Sequence, residues 1–351
     1  MTAAAAVPPD PCPTDDVLLG RGRELAALSR ALFGQRLVAL TGPAGVGKSR
    51  LAAVAAAAAP QLRPCRVRSV DLGGLLAPEL FTSTLAYVLD VPAQREGSEL
   101  GALARVLASE PTLLVLDGCE RLRGQAAAGI EFLIDSCPQL VVLAVGRSTP
   151  GSRYERVQRL DPLAEGPAVA LLSSRARQFG ARAFVRSGHE HLDALPLCHL
   201  LDRNPLAIEL AAGRLTELTP RQLMSEVSRP AGLLALGSAG AASREPGSGA
   251  GGLRALPERT LREAAAASHE LCTEEERTLW ARLSAVPVGF DLAEAQQACG
   301  GPELDPHTLE RAWCGLIRSS VLVPYGAGAQ RYRLPFLLRA FGREQLRELT
   351  R

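Results

Sequence analysis

A parallel α/β sheet flanked by helices, continued by an all-helical segment and a further mostly helical domain, is the fold this sequence predicts. Three observations carry the expectation. Between residues 18 and 161, short β-type runs alternate with longer helical patterns, as in a sheet whose strands are joined by crossover helices. From 163 to 226 only helical patterns remain. Residues 257–351 resume helices and close on SVLVPYGAGAQRYRLP, two short strands around a glycine turn.

In chain order, residues 1–16 are Pro- and Ala-rich and are expected to be disordered. The α/β domain covers 17–162, with strands expected at 36–41 (RLVALT), 66–71 (RVRSVD), 112–117 (TLLVLD), 140–145 (LVVLAV) and 155–160 (ERVQRL). Runs this close to continuously apolar imply strands covered on both faces. Helices fall between them, as at 48–59 and 98–109. A helical subdomain spans 163–228, where Thr219 before Pro220 has the residue types of an N-cap with proline at N1. Residues 229–253 are rich in Gly, Ser, Ala and Pro and read as a flexible linker. The last domain covers 254–351, and no repeat of 20–50 residues is visible.

Composition narrows the function. A chain of 351 residues has room for two or three domains, and 47% apolar with 22% charged residues is an ordinary globular balance. A net charge of +2 offers no overall field to nucleic acid or an anionic membrane. Aromatics are scarce at 4%, so Ala, Leu and Val must fill the cores. Eight cysteines without CxxC spacing read as idle thiols in a reducing compartment, with no zinc site. The N-terminus lacks a basic segment and a long apolar run, and nothing reaches 18 uninterrupted apolar residues. The expectation is a cytoplasmic protein with no membrane contact.

The strongest motif is Gly42-Pro43-Ala44-Gly45-Val46-Gly47-Lys48-Ser49, a complete G-x-x-x-x-G-K-[ST] between an expected strand and an expected helix. Its glycines allow main-chain N–H groups to curl around phosphates, and the helix N-terminus adds a favourable dipole. Lys48 would neutralise the β- and γ-phosphates, and the Ser49 hydroxyl would ligate Mg²⁺. Among 39 basic residues, Lys48 is the only lysine. A plain glycine-rich turn is the competing reading, and the context argues against it. The fold class sharpens to an α/β P-loop NTPase with a parallel five-stranded sheet.

Such a domain needs a carboxylate for magnesium at the end of another strand, and TLLVLD supplies Asp117. Rapid ATPases place a second acid directly afterwards to orient water. Here that position is Gly118 and the nearest acid is Glu120, so hydrolysis is expected to be slow. The following strand leads into Gly146-Arg147, where a guanidinium could report on the γ-phosphate; a solvated loop arginine is the alternative.

Together the stretches LLGRGRELAALSRAL, RLVALTGPAGVGKSRLA, LLVLDGCERL, LAVGRS and NPLAIELAAGRL closely resemble the NB-ARC type ATPases of the STAND class. The nearest likeness is to the ATPase modules of bacterial SARP (AfsR-like) and LuxR-type transcriptional regulators, and it runs through nearly the whole chain from Leu18. The resemblance implies that Leu19, Gly20 and Arg21 lie near adenine and ribose. It also implies that Pro205 touches the base, although an N1 proline explains that residue equally well. The loop residues 42–49 and the adjoining Arg50 complete the nucleotide contacts. The resemblance makes the last domain a winged helix, folded over ADP in a closed state and released in an ATP-bound open state that engages a protein partner or a second copy.

Two departures from that pattern stand out. Arg203 occupies a position that is usually glycine, two residues before Pro205, and Pro335-Phe336 replaces a His-Asp pair that contacts ADP in many relatives. From Arg311 onward eight arginines face only Glu344 and Glu348, which raises direct DNA contact, though a solvated helix face is the stronger reading. The leading expectation is thus an ATP/ADP switch in transcriptional control, at most a slow ATPase. An ATP-driven remodelling enzyme and a DNA-binding protein with a vestigial nucleotide site are the alternatives.

Overall fold

The computed structural model describes residues 18–75, 77–91, 98–122, 125–181, 184, 190–237, 260–326 and 330–350. The N-terminal segment expected to be disordered, 1–16, and the greater part of the expected linker, from 238 onward, lie outside the described residues.

Helix α1 (Gly22–Gly34) leads into a five-stranded parallel sheet. Its strands are β1 (Leu37–Thr41), β2 (Arg66–Asp71), β3 (Thr112–Asp117), β4 (Leu140–Gly146) and β5 (Glu155–Arg159), in the order β2-β3-β4-β1-β5. The chain passes between them through α2 (Lys48–Leu62), α3 (Phe81–Val88), α4 (Glu99–Leu107) and α5 (Gln125–Ser136). All five expected strands form where the apolar runs lie, within a residue at either end. The inner strands β1, β3 and β4 are almost wholly buried. The expectation of cover on both faces is corrected for β2 and β5, which sit at the two edges and expose Arg66, Arg156 and Val157. An edge strand has a neighbour on one side only, and polar side chains there face solvent.

Register matters for function. Thr41 pairs with Gly146 and Arg159, and Asp117 pairs with Asp71 and Val145. The strands therefore end together, and the loops after β1, β3 and β4 open onto one rim. Open α/β sheets bind ligands outside the carboxyl ends of their strands.

A helical lobe follows, made of α6 (Glu165–Phe179), α7 (Glu190–Leu200), α8 (Pro205–Arg214) and α9 (Pro220–Val227). Thr219 caps α9 as expected, in a reciprocal capping box with Gln222. The linker reading is corrected at its start. Residues Pro230–Leu234 form a short helix, α10, and Leu233, Leu234 and Leu236 are buried. Composition suggests flexibility, but two leucines at the end of this helix and a third just beyond it find an apolar surface to cover.

That surface belongs to the C-terminal lobe of α11 (Leu261–Glu270), α12 (Glu274–Leu283), α13 (Leu292–Cys299), α14 (Pro306–Arg318) and α15 (Phe336–Leu349), with the antiparallel hairpin β6 (Val323–Pro324) and β7 (Tyr332–Arg333). Thr260, Thr273 and Asp291 each start their helix with a capping box. The buried residues of the two lobes form one continuous core, distinct from the two clusters on either face of the sheet. At its centre the Trp280 indole N–H donates to the Leu338 carbonyl at 2.8 Å. Among the described residues, no helix is long and apolar enough to cross a membrane.

Candidate functional site

The loop between β1 and α2 is held from outside by its carbonyls. Lys48 Nζ donates to the Gly42 and Pro43 carbonyls, both at 2.9 Å. Asn204 Nδ2 donates to Ala44 O at 2.8 Å, and the Leu206 amide donates to Gly45 O at 3.2 Å. Arg21 Nη2 reaches Val46 O at 3.2 Å. Donors from α1's start, from α8's start and from the loop's own lysine thus occupy five successive carbonyls. The amides of α2's first turn have no acceptor within the helix, and its N-cap, Gly47, provides no side chain to take them. The loop can therefore offer N–H groups to an anion without losing its shape.

Close packing explains the loop's composition. Gly45 has φ of 76°, and a β-carbon there would stand 2.7 Å from Asn204 Oδ1 and 2.8 Å from Leu206 Cβ. Any side chain would push α8 away from the loop.

Lys48 and Asp117 face the same space. Burial draws the Lys48 ammonium down to about 8, against a pull upward from Glu120 and Asp117 and a push from Arg147. Burial raises the Asp117 carboxyl, partly offset by hydrogen bonds from the Ser49 hydroxyl and from the Gly118 amide at 2.9 Å. A hydroxyl bonded to a carboxylate, with Asp71 close by on β2, is a hard-oxygen set that fits Mg²⁺, which commonly takes one or two protein oxygens and fills its shell with water and phosphate. Among the described residues, no cluster of three or more His, Cys, Asp or Glu could hold a metal by itself.

The other residues expected at the site are placed as follows. Glu120 lies in a short turn after Gly118 and pairs with Arg147, Oε1 to Nε at 3.6 Å, while accepting the Arg147 amide at 3.3 Å. Arg147 also donates from Nη1 to Ser268 Oγ at 3.0 Å, and its carbonyl accepts from Ser320 Oγ at 3.0 Å. Leu19 packs against the helical core, and Gly20 lies against the Pro167 ring of α6. Arg21 is buried, with its remaining fork on Glu24 at 2.9 Å, so its guanidinium supports the loop itself. Pro205 is half-buried at N1 of α8, beside the loop. Arg50 turns away toward Glu209 of α8 at 3.6 Å, where the buried Arg175 also binds at 3.0 Å.

Gly118 has φ of 82°, and a β-carbon there would lie 2.6 Å from the Gly73 amide nitrogen. The position where rapid ATPases carry their second acid is closed by the chain after β2.

Several functional neighbours escaped sequence reasoning: Asn204, Asp71, Gly73, Ser268, Ser320 and Asp202. Asn204 before Pro205 signals an N-cap, and its side-chain oxygen does accept from Leu206 and Ala207, but nothing in sequence announces its reach to Ala44. Asp202 accepts Arg333 Nη1 at 2.6 Å and the Phe336 amide. It thereby caps α15, whose own N-cap, Pro335, has no polar side chain. The usual glycine before this segment is also explained: Arg203 has φ of 54°, a left-handed conformation that glycine adopts without penalty.

No protein-family model matches the chain. The uncharacterized protein Rv0894 of Mycobacterium tuberculosis is 33% identical over 334 residues, which cover 94% of this chain and 81% of that protein. The chain belongs to the Rv0894 family. A second mycobacterial relative of this Rv0894-family chain, Rv0890c, carries the name of an HTH-type transcriptional regulator. It is 33% identical over 320 residues, but the match covers 90% of this chain and only 34% of that longer protein. Among solved structures, the Walker-type ATPase PABY2304 of Pyrococcus abyssi aligns over 96% of this chain and 98% of its own, with a TM-score of 0.58 and 15% identity. That likeness concerns fold, and the parallel sheet with its phosphate loop gives this Rv0894-family chain the P-loop ATPase architecture.

Proposed function

We propose that the chain is a regulatory switch that binds ATP or ADP, changes shape with the nucleotide it holds, and hydrolyses ATP slowly at most. The clamped loop carries this reading: five consecutive carbonyls from Gly42 to Val46 are engaged by protein donors, which leaves the loop's amides to a polyphosphate, for which Lys48 would exchange its bonds to the Gly42 and Pro43 carbonyls. In this reading Leu19, Gly20 and Pro205 border the base. Ser49 and Asp117 would hold Mg²⁺, which when bound supplies positive charge between phosphate oxygens. Gly118, with no room for a side chain, supports slow turnover, and so does the Glu120 carboxylate's engagement by Arg147.

The C-terminal lobe is read as a winged helix that closes over the nucleotide, and release of its contacts would expose surface to a protein partner or a second copy. The name of Rv0890c supports a place in bacterial transcriptional control, in the cytoplasm. Direct DNA contact draws little support from the basic C-terminal stretch. Arg331, Arg333, Arg339 and Arg343 are engaged by Gly289, Asp202, Val286 and Ser284 of this same chain.

The test is the nucleotide that the purified protein carries. Near-stoichiometric ADP or ATP, absent from a Lys48→Ala variant that still folds by circular dichroism, is the expected result. Wild-type protein that shows no affinity for either nucleotide in magnesium buffer would end the proposal.

A further inference from the structure

A cleft of about 530 Å³ lies in the seam between the helical lobe and the C-terminal lobe. Pro196 and Leu200 of α7 form one apolar wall, and Val288, Leu334 and Phe336 form the other. None of the residues assigned above to phosphate, magnesium or base lines it. Its charges do not balance. Arg333 and Arg339 both line the cleft, and Asp202 is the one carboxylate among its lining residues. That carboxylate is already engaged, one oxygen by Arg333 Nη1 at 2.6 Å and the other by the Phe336 amide. His199, at the rim, pairs with Glu165 at 3.2 Å. Arg339 has no such partner. Its Nη2 donates to Val286 O, but its Nη1 finds no acceptor, although the residue is only 9% exposed. Burial, and after it the neighbouring Arg343 charge, pulls this guanidinium below its ordinary value. A buried cation with an idle donor is costly, and a negatively charged oxygen would relieve both defects.

We propose that this seam binds a small organic carboxylate with an apolar body, its head group on Arg339 and its body against Leu200, Val288 and Phe336. The planar fork of a guanidinium matches a carboxylate in two parallel bonds. Arg339 turns that fork from Val286 O to the incoming head group, exchanging a neutral acceptor for a charged one. Arg333, held beside it by Asp202, adds positive charge without giving up its own partner. The volume is that of an ordinary small-molecule site, apolar with a few convergent polar groups. A ligand seated there touches both lobes and so favours the arrangement that brings them together. The site stands apart from the nucleotide reading and does not depend on it.

The test is made on the full chain without nucleotide, with anilinonaphthalene sulfonate as a fluorescent apolar anion and octanoate as its competitor. Octanoate is expected to displace the dye from wild type, and octanol, the same chain without the charge, to displace it poorly. Val288 is 53% exposed at the cleft, so changing it leaves the core intact. Val288→Glu is expected to weaken octanoate about tenfold by setting a like charge against the head group, and Val288→Lys to keep it at least as tight as wild type. Arg339→Met is expected to abolish the competition; should that variant fail to fold, the Val288 pair decides. Octanoate that does not displace the dye from wild type, that binds all the Val288 forms equally, or that competes no better than octanol overturns the proposal.

Discussion

Asn204 donates its side-chain Nδ2 to the carbonyl of Ala44 at 2.8 Å, while its Oδ1 accepts the Leu206 and Ala207 amides at the start of α8. One amide side chain thus begins a helix in one lobe and fixes the apex of the phosphate loop in another. The two halves can be separated by substitution. Asn204→Asp keeps an oxygen for the cap but loses the donor and sets a carboxylate against a carbonyl. It should leave the fold within about 1 kcal/mol of wild type, since aspartate caps as well as asparagine. Nucleotide affinity should still drop by roughly tenfold, the worth of one lost hydrogen bond and a misplaced charge. Calorimetry beside a thermal melt checks this; equal affinity in the variant would show that Ala44 needs no anchor.

Gly118→Glu looks from sequence like a way to install a second catalytic acid. The structure expects it to fail. With φ of 82° and the Gly73 amide nitrogen 2.6 Å from the new β-carbon, the substitution should destabilise the protein by about 2 kcal/mol or more without raising ATP turnover. Phosphate release and chemical denaturation are the readouts, and a faster ATPase with an intact fold would contradict the proposed reason for slow hydrolysis.

Lys48 gives a pH signature. Burial lowers it to about 8, and phosphate would restore its charge, so binding above that pH must take up a proton. Affinity should be flat with respect to this group below about pH 8 and fall by up to about tenfold per unit above it, until the bound-state value is reached. Stability of the ligand-free fold runs the other way. The unfolded chain holds the extra proton between about 8 and the usual lysine value of roughly 10.4, so this group's contribution rises with pH across that window. Titrations from pH 7 to 9.5 in buffers of different ionisation enthalpy would reveal the proton; its absence would mean that Lys48 stays charged throughout.

Asp202→Ala removes an ion pair to Arg333 and the acceptor for the Phe336 amide. Loss of a cap costs about 1 kcal/mol, and the stranded guanidinium, only 22% exposed, adds to it. Hydrogen exchange should accelerate first in the opening turn of α15, and the two lobes should open before the sheet does. Uniform exchange across the molecule would argue that this seam is not the weak one.

Much of this protein was legible before any tertiary structure. Period-two and continuous apolar runs are local properties, so all five strands appear at their expected places, and helices follow them as the periodicity predicts. Residues 42–49 were equally plain, because a loop that wraps phosphate needs glycine, lysine and serine at fixed spacing along the chain. RVRSVD and ERVQRL carry more charge than the inner strands, but the strand order that puts them at the two edges is set by tertiary packing and not by any local run. Nor did composition reveal that Leu233, Leu234 and Leu236 would find a shared core at the start of an apparent linker.

Sequence by itself determined the chemistry that this chain can offer: one ammonium, one hydroxyl and one carboxylate at the ends of predictable elements. Tertiary structure decided what those groups lean on. Asn204 against Ala44, Gly73 against Gly118, Ser268 and Ser320 against Arg147, and Asp202 against Phe336 join residues far apart in the chain. Such contacts depend on how helices and strands pack, and a hydrogen bond or a steric stop acts over only a few ångströms, so no local pattern records it.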